Sequence, residues 1–115
     1  MDKTINLNDF LQGRETALIG RDNGENVFDN MVRKGFDFLK LEQEFDKIII
    51  QIPDRIVSIN KSFFLGLFET IIERLKKEGF YKKYQFETTE HINKKIEGHV
   101  DSALLSASQG DILNA

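Results

Sequence analysis

The chain contains no cysteine and no tryptophan, and its one proline is Pro53. Without cysteine there is neither a disulfide framework nor a thiolate metal site. Long apolar runs are missing too. The longest uninterrupted stretches, such as Ile48–Ile50 and Phe63–Leu65, fall far short of the roughly 20 residues that span a membrane. Met1-Asp2-Lys3 lacks the charged-then-apolar pattern of a signal peptide, so the cytoplasm is the expected location. A basic stripe is also lacking: 16 basic residues against 19 acidic ones leave a net charge of −3. Phosphate neutralisation supplies most of a nucleic-acid binder's affinity, so nucleic acid is not an expected partner. The nearest approach to a stripe, Arg74, Lys76, Lys77, Lys82 and Lys83, is interleaved with Glu69, Glu73 and Glu78 and reads as a solvated face.

Signatures of catalysis are equally sparse. The chain has no glycine-rich phosphate loop, no nucleophile elbow and no zinc-type histidine pair. His91 and His99 lie eight residues apart on one expected helix. At about 100° per residue that turns them roughly 80° away from each other, a poor ligand pair. His99 falls near the buried side and reads as a core or boundary histidine. The helical carboxylates Glu69, Glu73, Glu90 and Glu97 show no sign of the cleft that acid–base pairs need. The expectation is a non-enzyme with no metal and no cofactor.

What the chain does have is ten phenylalanines, within a composition that is 40% apolar and 30% charged. That is ordinary for a globular domain and too apolar for disorder. At 115 residues there is room for one core. Thr4–Leu7 reads as an opening strand and Asn8–Arg14 as a turn or a single helical turn, while Glu15–Gly20 suits a short strand or a helix. Asp22 and Glu25 have the spacing of a capping box ahead of a helix. Val27, Phe28, Met31, Val32, Phe36 and Leu39 would line its apolar face, with Gly35 a weak point in its second half. Ile48–Ile52 resembles a central strand covered on both faces, broken by Pro53-Asp54-Arg55. Ile56, Val57 and Ile59 make a brief extended segment.

A second helix is expected over Phe63–Glu78, burying Phe64, Leu67, Phe68, Ile71, Ile72 and Leu75 and stopped by Gly79. Tyr81–Thr88 alternates as a half-exposed strand, and Thr88 or Thr89 caps a last helix with Ile92, Ile96, Val100 and Ala103–Leu104 inside. Ile49, Ile50, Phe64, Phe68, Ile71 and Phe86 are expected to be buried together. Residues 1–105 thus form a single α/β domain, its helices against a mixed or parallel sheet, and residues 106–115 a flexible C-terminal tail.

One segment carries more information. Arg55–Phe64 runs from a strand end directly into the start of a helix, and Ser58, Asn60 and Ser62 are suited to the free N–H groups there. A helix start at the carboxyl edge of a sheet is also where anions and partner loops dock. Here the sequence resembles the bacterial STAS-like domains of unknown function, relatives of the anti-sigma-factor antagonists. The likeness begins at Gly20-Arg21-Asp22 with Gly24 and passes through Ile48–Ile52 and Ser62-Phe63. It continues into Glu73-Arg74-Leu75 and ends at Tyr84-Gln85-Phe86.

The resemblance implies a STAS-like layer, a small mixed sheet with helices packed on it. It also implies regulation by protein contact, often opposite a histidine-kinase-like ATPase. The true antagonists carry Asp-Ser-Ser-Gly where this chain has Asn60-Lys61-Ser62-Phe63. Lys61 takes the phosphoacceptor's place, so a phosphorylation switch by the usual route is not implied. The expected partner-binding residues are Ser58, Asn60, Lys61 and Ser62. The alternative is a small-ligand or nucleotide-binding domain in which Arg21 and the 58–62 backbone hold an anionic group. A third reading is an accessory subunit for oligomer assembly.

Overall fold

The structure, a computed structural model, describes residues 1–113, with side chains described for residues 1–105. In chain order it contains β1 (Asp2–Asn6), a 3-10 turn (Leu7–Phe10), β2 (Ala17–Leu18), α1 (Arg21–Arg33) and α2 (Phe38–Glu44). Then follow β3 (Lys47–Gln51), β4 (Ser58–Ile59), α3 (Lys61–Lys83), β5 (Tyr84–Glu87) and α4 (Glu90–Leu113). The α/β class is as expected. Both sheets, β1-β3-β5 and β2-β4, pair in parallel throughout, so the sheet is parallel and not mixed. The expected flexible tail lies outside the described residues, apart from the α4 backbone to Leu113.

The strand order explains which faces are covered. Successive parallel neighbours joined by right-handed crossovers receive their connections on the same side. Ile48 and Ile50 are 0% exposed on that side, beside Ile5, Tyr84 and Phe86. Ile49 points the other way, opposite Thr4 and Gln85, and is half-buried among exposed neighbours. The expectation of a strand covered on both faces, and of a fully buried Ile49, is corrected. The period-2 alternation of a one-sided sheet is present, hidden by three consecutive isoleucines.

α3 runs through the middle of the core. Phe63, Phe64, Leu65, Leu67, Phe68, Ile71 and Ile72 are all buried, so its apolar surface is wider than the single stripe expected. Phe68 packs edge-on against Phe80 and Phe86 at 6.0 and 5.5 Å between ring centroids, with Phe64 5.3 Å away. On another side α3 crosses α1 with no side chain between the backbones. A Cβ built on Gly24 would stand 2.1 Å from the Phe63 carbonyl oxygen, and one on Gly66 2.3 Å from that of Arg21. The two glycines are what let the helices approach so closely.

Helix ends depart from expectation in three places. α1 starts at Arg21 behind Gly20 (φ 97°), which puts Asp22 inside the first turn, and the Asp22–Glu25 box does not form. α1 stops at Arg33 instead of running to Leu39. Gly35 (φ 99°) donates to Val32 and Phe36 to Met31, a Schellman stop, and Asp37 then caps α2 by accepting from the Lys40 N–H. α3 does not end at Gly79. It breaks at Lys76 (φ 62°, ψ 179°), a backbone region normally left to glycine, and resumes through Lys83. The break re-aims the chain so that Phe80 is buried and stacks on Tyr84 at 5.1 Å, and β5 begins only at Tyr84.

A polar staple closes the other end of the core. The Glu42 carboxylate, on α2, accepts two hydrogen bonds from Arg74 (2.7 and 2.8 Å) and one from the Tyr84 hydroxyl (2.6 Å). Burial opposes its ionisation, but these bonds outweigh it and hold the carboxyl below the usual carboxylate range. Burial and the bond to Glu42 push the Tyr84 phenol up.

Candidate interaction edge

The segment singled out in the sequence forms one edge of the molecule, built by β2, β4 and the start of α3. Ser58 and Ile59 pair with Ala17 and Leu18, and the Asn60 N–H donates to the Leu18 carbonyl at 3.0 Å. Asn60 is the cap of α3. Its Oδ1 accepts from the Phe63 N–H (2.9 Å) and, across the two strands, from the Gly20 N–H (3.3 Å). One amide oxygen therefore joins the start of α3 to the loop before α1. Asn60 is half-buried and structural, whereas Ser58, Lys61 and Ser62 are exposed. Of Ser58, Asn60 and Ser62, all suited to the free N–H groups, it is Asn60 that caps α3.

The edge is braced from three directions. His99, half-buried on α4, donates from Nε2 to the Ile59 carbonyl at 2.8 Å and lies 5.8 Å from the Phe64 ring. This is the boundary histidine expected. Arg55 donates from Nε to the Glu15 carbonyl (3.0 Å), and the Val57 N–H donates to Thr16 (2.7 Å). The Arg21 guanidinium is 3.1 Å from Glu69, further along α3.

Two large aliphatic residues on this edge escaped notice in the sequence. Ile19 is 55% exposed and Val57 63%. Each is flanked by a buried residue, Leu18 and Ile56, so each reads in sequence as one more core position. The pairing of β2 with β4 puts them at its two ends, Val57 beside Thr16 before β4 and Ile19 beside Asn60 after β2.

Beside the edge, an open groove of about 590 Å³ runs between β2 and α1, with the buried Leu18, Val27 and Phe63 among its lining residues. Among the described residues no three His, Asp or Glu side chains converge as metal ligands would, and no helix is long and apolar enough to cross a membrane. Compared with family models, curated proteins and solved structures, the chain matches none.

Proposed function

We propose that the chain is a non-enzymatic regulatory module of the cytoplasm that works by binding another protein through the edge formed by β2, β4 and the start of α3. The observation that carries this reading is the pairing of exposed Ile19 and Val57 with exposed Ser58, Lys61 and Ser62 on a segment whose backbone is held by Asn60, His99 and Arg55. Apolar groups rimmed by polar ones, on a scaffold that need not reorganise, are what a protein-binding surface requires. Lys61 adds a positive charge, and its complement is an acidic surface.

The likeness of Gly20–Phe86 to STAS-like domains supports the same class of function and suggests a histidine-kinase-like ATPase as the first partner to try. The test is affinity capture from the native host with wild type and Lys61→Glu side by side. Weaker capture of the same partner by a folded Lys61→Glu variant supports the reading; equal recovery moves the binding surface elsewhere. The size of the groove beside β2 favours the small-ligand alternative, since ligand pockets span about 300–1,000 Å³. Thermal shifts with a panel of nucleotides and metabolites address it. A rise of about 4–8 °C corresponds to roughly 1 kcal/mol of binding-linked stability.

A further inference from the structure

Among the described residues, β2 has a strand partner on one side only. In a parallel pair the N–H and C=O of one residue point to the same neighbour and those of the next residue point away. Leu18 accepts from the Asn60 N–H, so it is turned toward β4. Ala17 and Ile19 are therefore turned to the other side. That side faces α1, because the Ile19 carbonyl accepts from Nδ2 of Asn23 at 2.7 Å. The groove of about 590 Å³ lies there, with Ala17, Leu18 and Ile19 along one wall and Asn23, Asn26 and Asn30 along the other.

The spacing of the groove suits an extended chain. Asn26 and Asn30 stand one helical step of four residues apart, about 6 Å, close to the roughly 6.6–6.8 Å repeat of alternate residues in a strand. Each amide offers both donors and an acceptor. From Asn23 to Arg33 the wall is about 15 Å long, room for four extended residues at about 3.3 Å each. Charge then sets the orientation. Glu15 is engaged with the Gln12 and Arg14 N–H groups and lies 3.7 Å from Arg55. Asp29 lines the middle of the helical wall. Arg33, at the far end, has no ion-pair partner among the described residues, and Lys34 beside it sits over the Phe10 ring at 5.1 Å. Negative charge on a ligand belongs at that end.

We infer that the groove takes an extended peptide segment of a partner protein, which pairs as a third strand with the outward-facing N–H and C=O of Ala17 on β2 and places a carboxylate against Arg33. The inference rests on the protein-binding reading but not on the 58–62 surface. The experiment is selection of a random nonapeptide library, displayed with free C-termini, on the full chain, followed by fluorescence anisotropy with the enriched peptides.

Expected are peptides with an acidic residue or a free C-terminus at one end. Their affinity should fall tenfold or more in Arg33→Glu and in the Asn26→Asp/Asn30→Asp double variant, and stay unchanged in Lys95→Glu on the exposed side of α4, with Lys61→Glu measured beside them. Backbone N-methylation should abolish binding at alternate positions only, and amidating the C-terminus separates a terminal carboxylate from an acidic side chain. Circular dichroism melts confirm that each variant is folded. Absence of enrichment, or binding indifferent to Arg33→Glu and to N-methylation, overturns the groove. Peptides that depend on Lys61 and not on Arg33 also overturn it while leaving the protein-binding reading in place. Enrichment of none, with metabolites stabilising the chain through Arg33, reassigns the groove to a small ligand.

Discussion

Replacing Gly24 with alanine places a methyl group where the Phe63 carbonyl oxygen already lies 2.1 Å away. Ordinary contact begins near 3.4 Å, so α1 and α3 must part locally by about 1.3 Å. The obstacle is backbone, which cannot rotate aside as a side chain would. Overpacking of this kind costs about 1–3 kcal/mol and occasionally more. With nothing able to yield, the upper end applies. Set against a total stability of about 5–15 kcal/mol, a loss near 3 kcal/mol lowers the melting temperature by roughly 12–24 °C. Gly66→Ala meets the Arg21 carbonyl oxygen at 2.3 Å and should behave alike.

The internal control is Gly98→Ala on α4. Gly98 is exposed and has nothing within 4 Å of the new methyl. There the helix propensity of alanine acts alone and raises stability by about 1 kcal/mol. The assay is a differential scanning or circular dichroism melt of the three variants beside wild type. The same substitution on three helices should thus give opposite signs. A Gly24→Ala variant that melts with or above wild type refutes the close crossing of α1 and α3.

Asn60→Ala should cost about 1–2 kcal/mol by removing the cap of α3, while Ser62→Ala stays within about 0.5 kcal/mol, both read from denaturant melts; the reverse ranking would give the cap to Ser62. Lys76→Gly should stabilise by about 0.5–2 kcal/mol, relief of backbone strain of about 1–3 kcal/mol exceeding the entropic cost of glycine, and a destabilised variant argues against the break in α3. Phe68→Ala should cost about 3–5 kcal/mol, since its ring packs against four other rings and is nearly inaccessible. Glu42→Gln should cost about 1.5–3 kcal/mol at pH 7 through weakened bonds to Arg74 and Tyr84. Because the Glu42 carboxyl titrates lower folded than unfolded, its contribution is full above the ordinary carboxylate range and fades as pH falls through the folded value. Denaturant melts at pH 7 and pH 3 should therefore show the gap between variant and wild type narrowing in acid, and a constant gap would exclude Glu42 as its source.

The core of α3 was legible from spacing alone, because Phe64, Phe68, Ile71 and Ile72 recur at the helical period and are buried. β3 was legible as a strand, but three isoleucines in a row conceal which of them faces solvent. Gly24 read as part of a cap signal, since a sequence does not reveal that a second glycine 42 residues on will meet it across a helix crossing. Nothing in the residue at position 76 announces a helix break. A lysine there takes a conformation normally left to glycine, four residues before the buried Phe80. At the candidate edge the polar run 58–62 was visible. Its division of labour was not, because the second bond of the Asn60 amide oxygen forms only when Gly20 is brought 3.3 Å away.

Backbone hydrogen exchange of the chain, free and bound to the partner captured through Lys61, tests the proposed binding edge most directly. The proposal predicts new protection concentrated at residues 16–20 and 57–63, with the open sheet face around Thr4, Ile49 and Gln85 exchanging as in the free chain. Protection confined to that open face, or to the outer surface of α4, would contradict it.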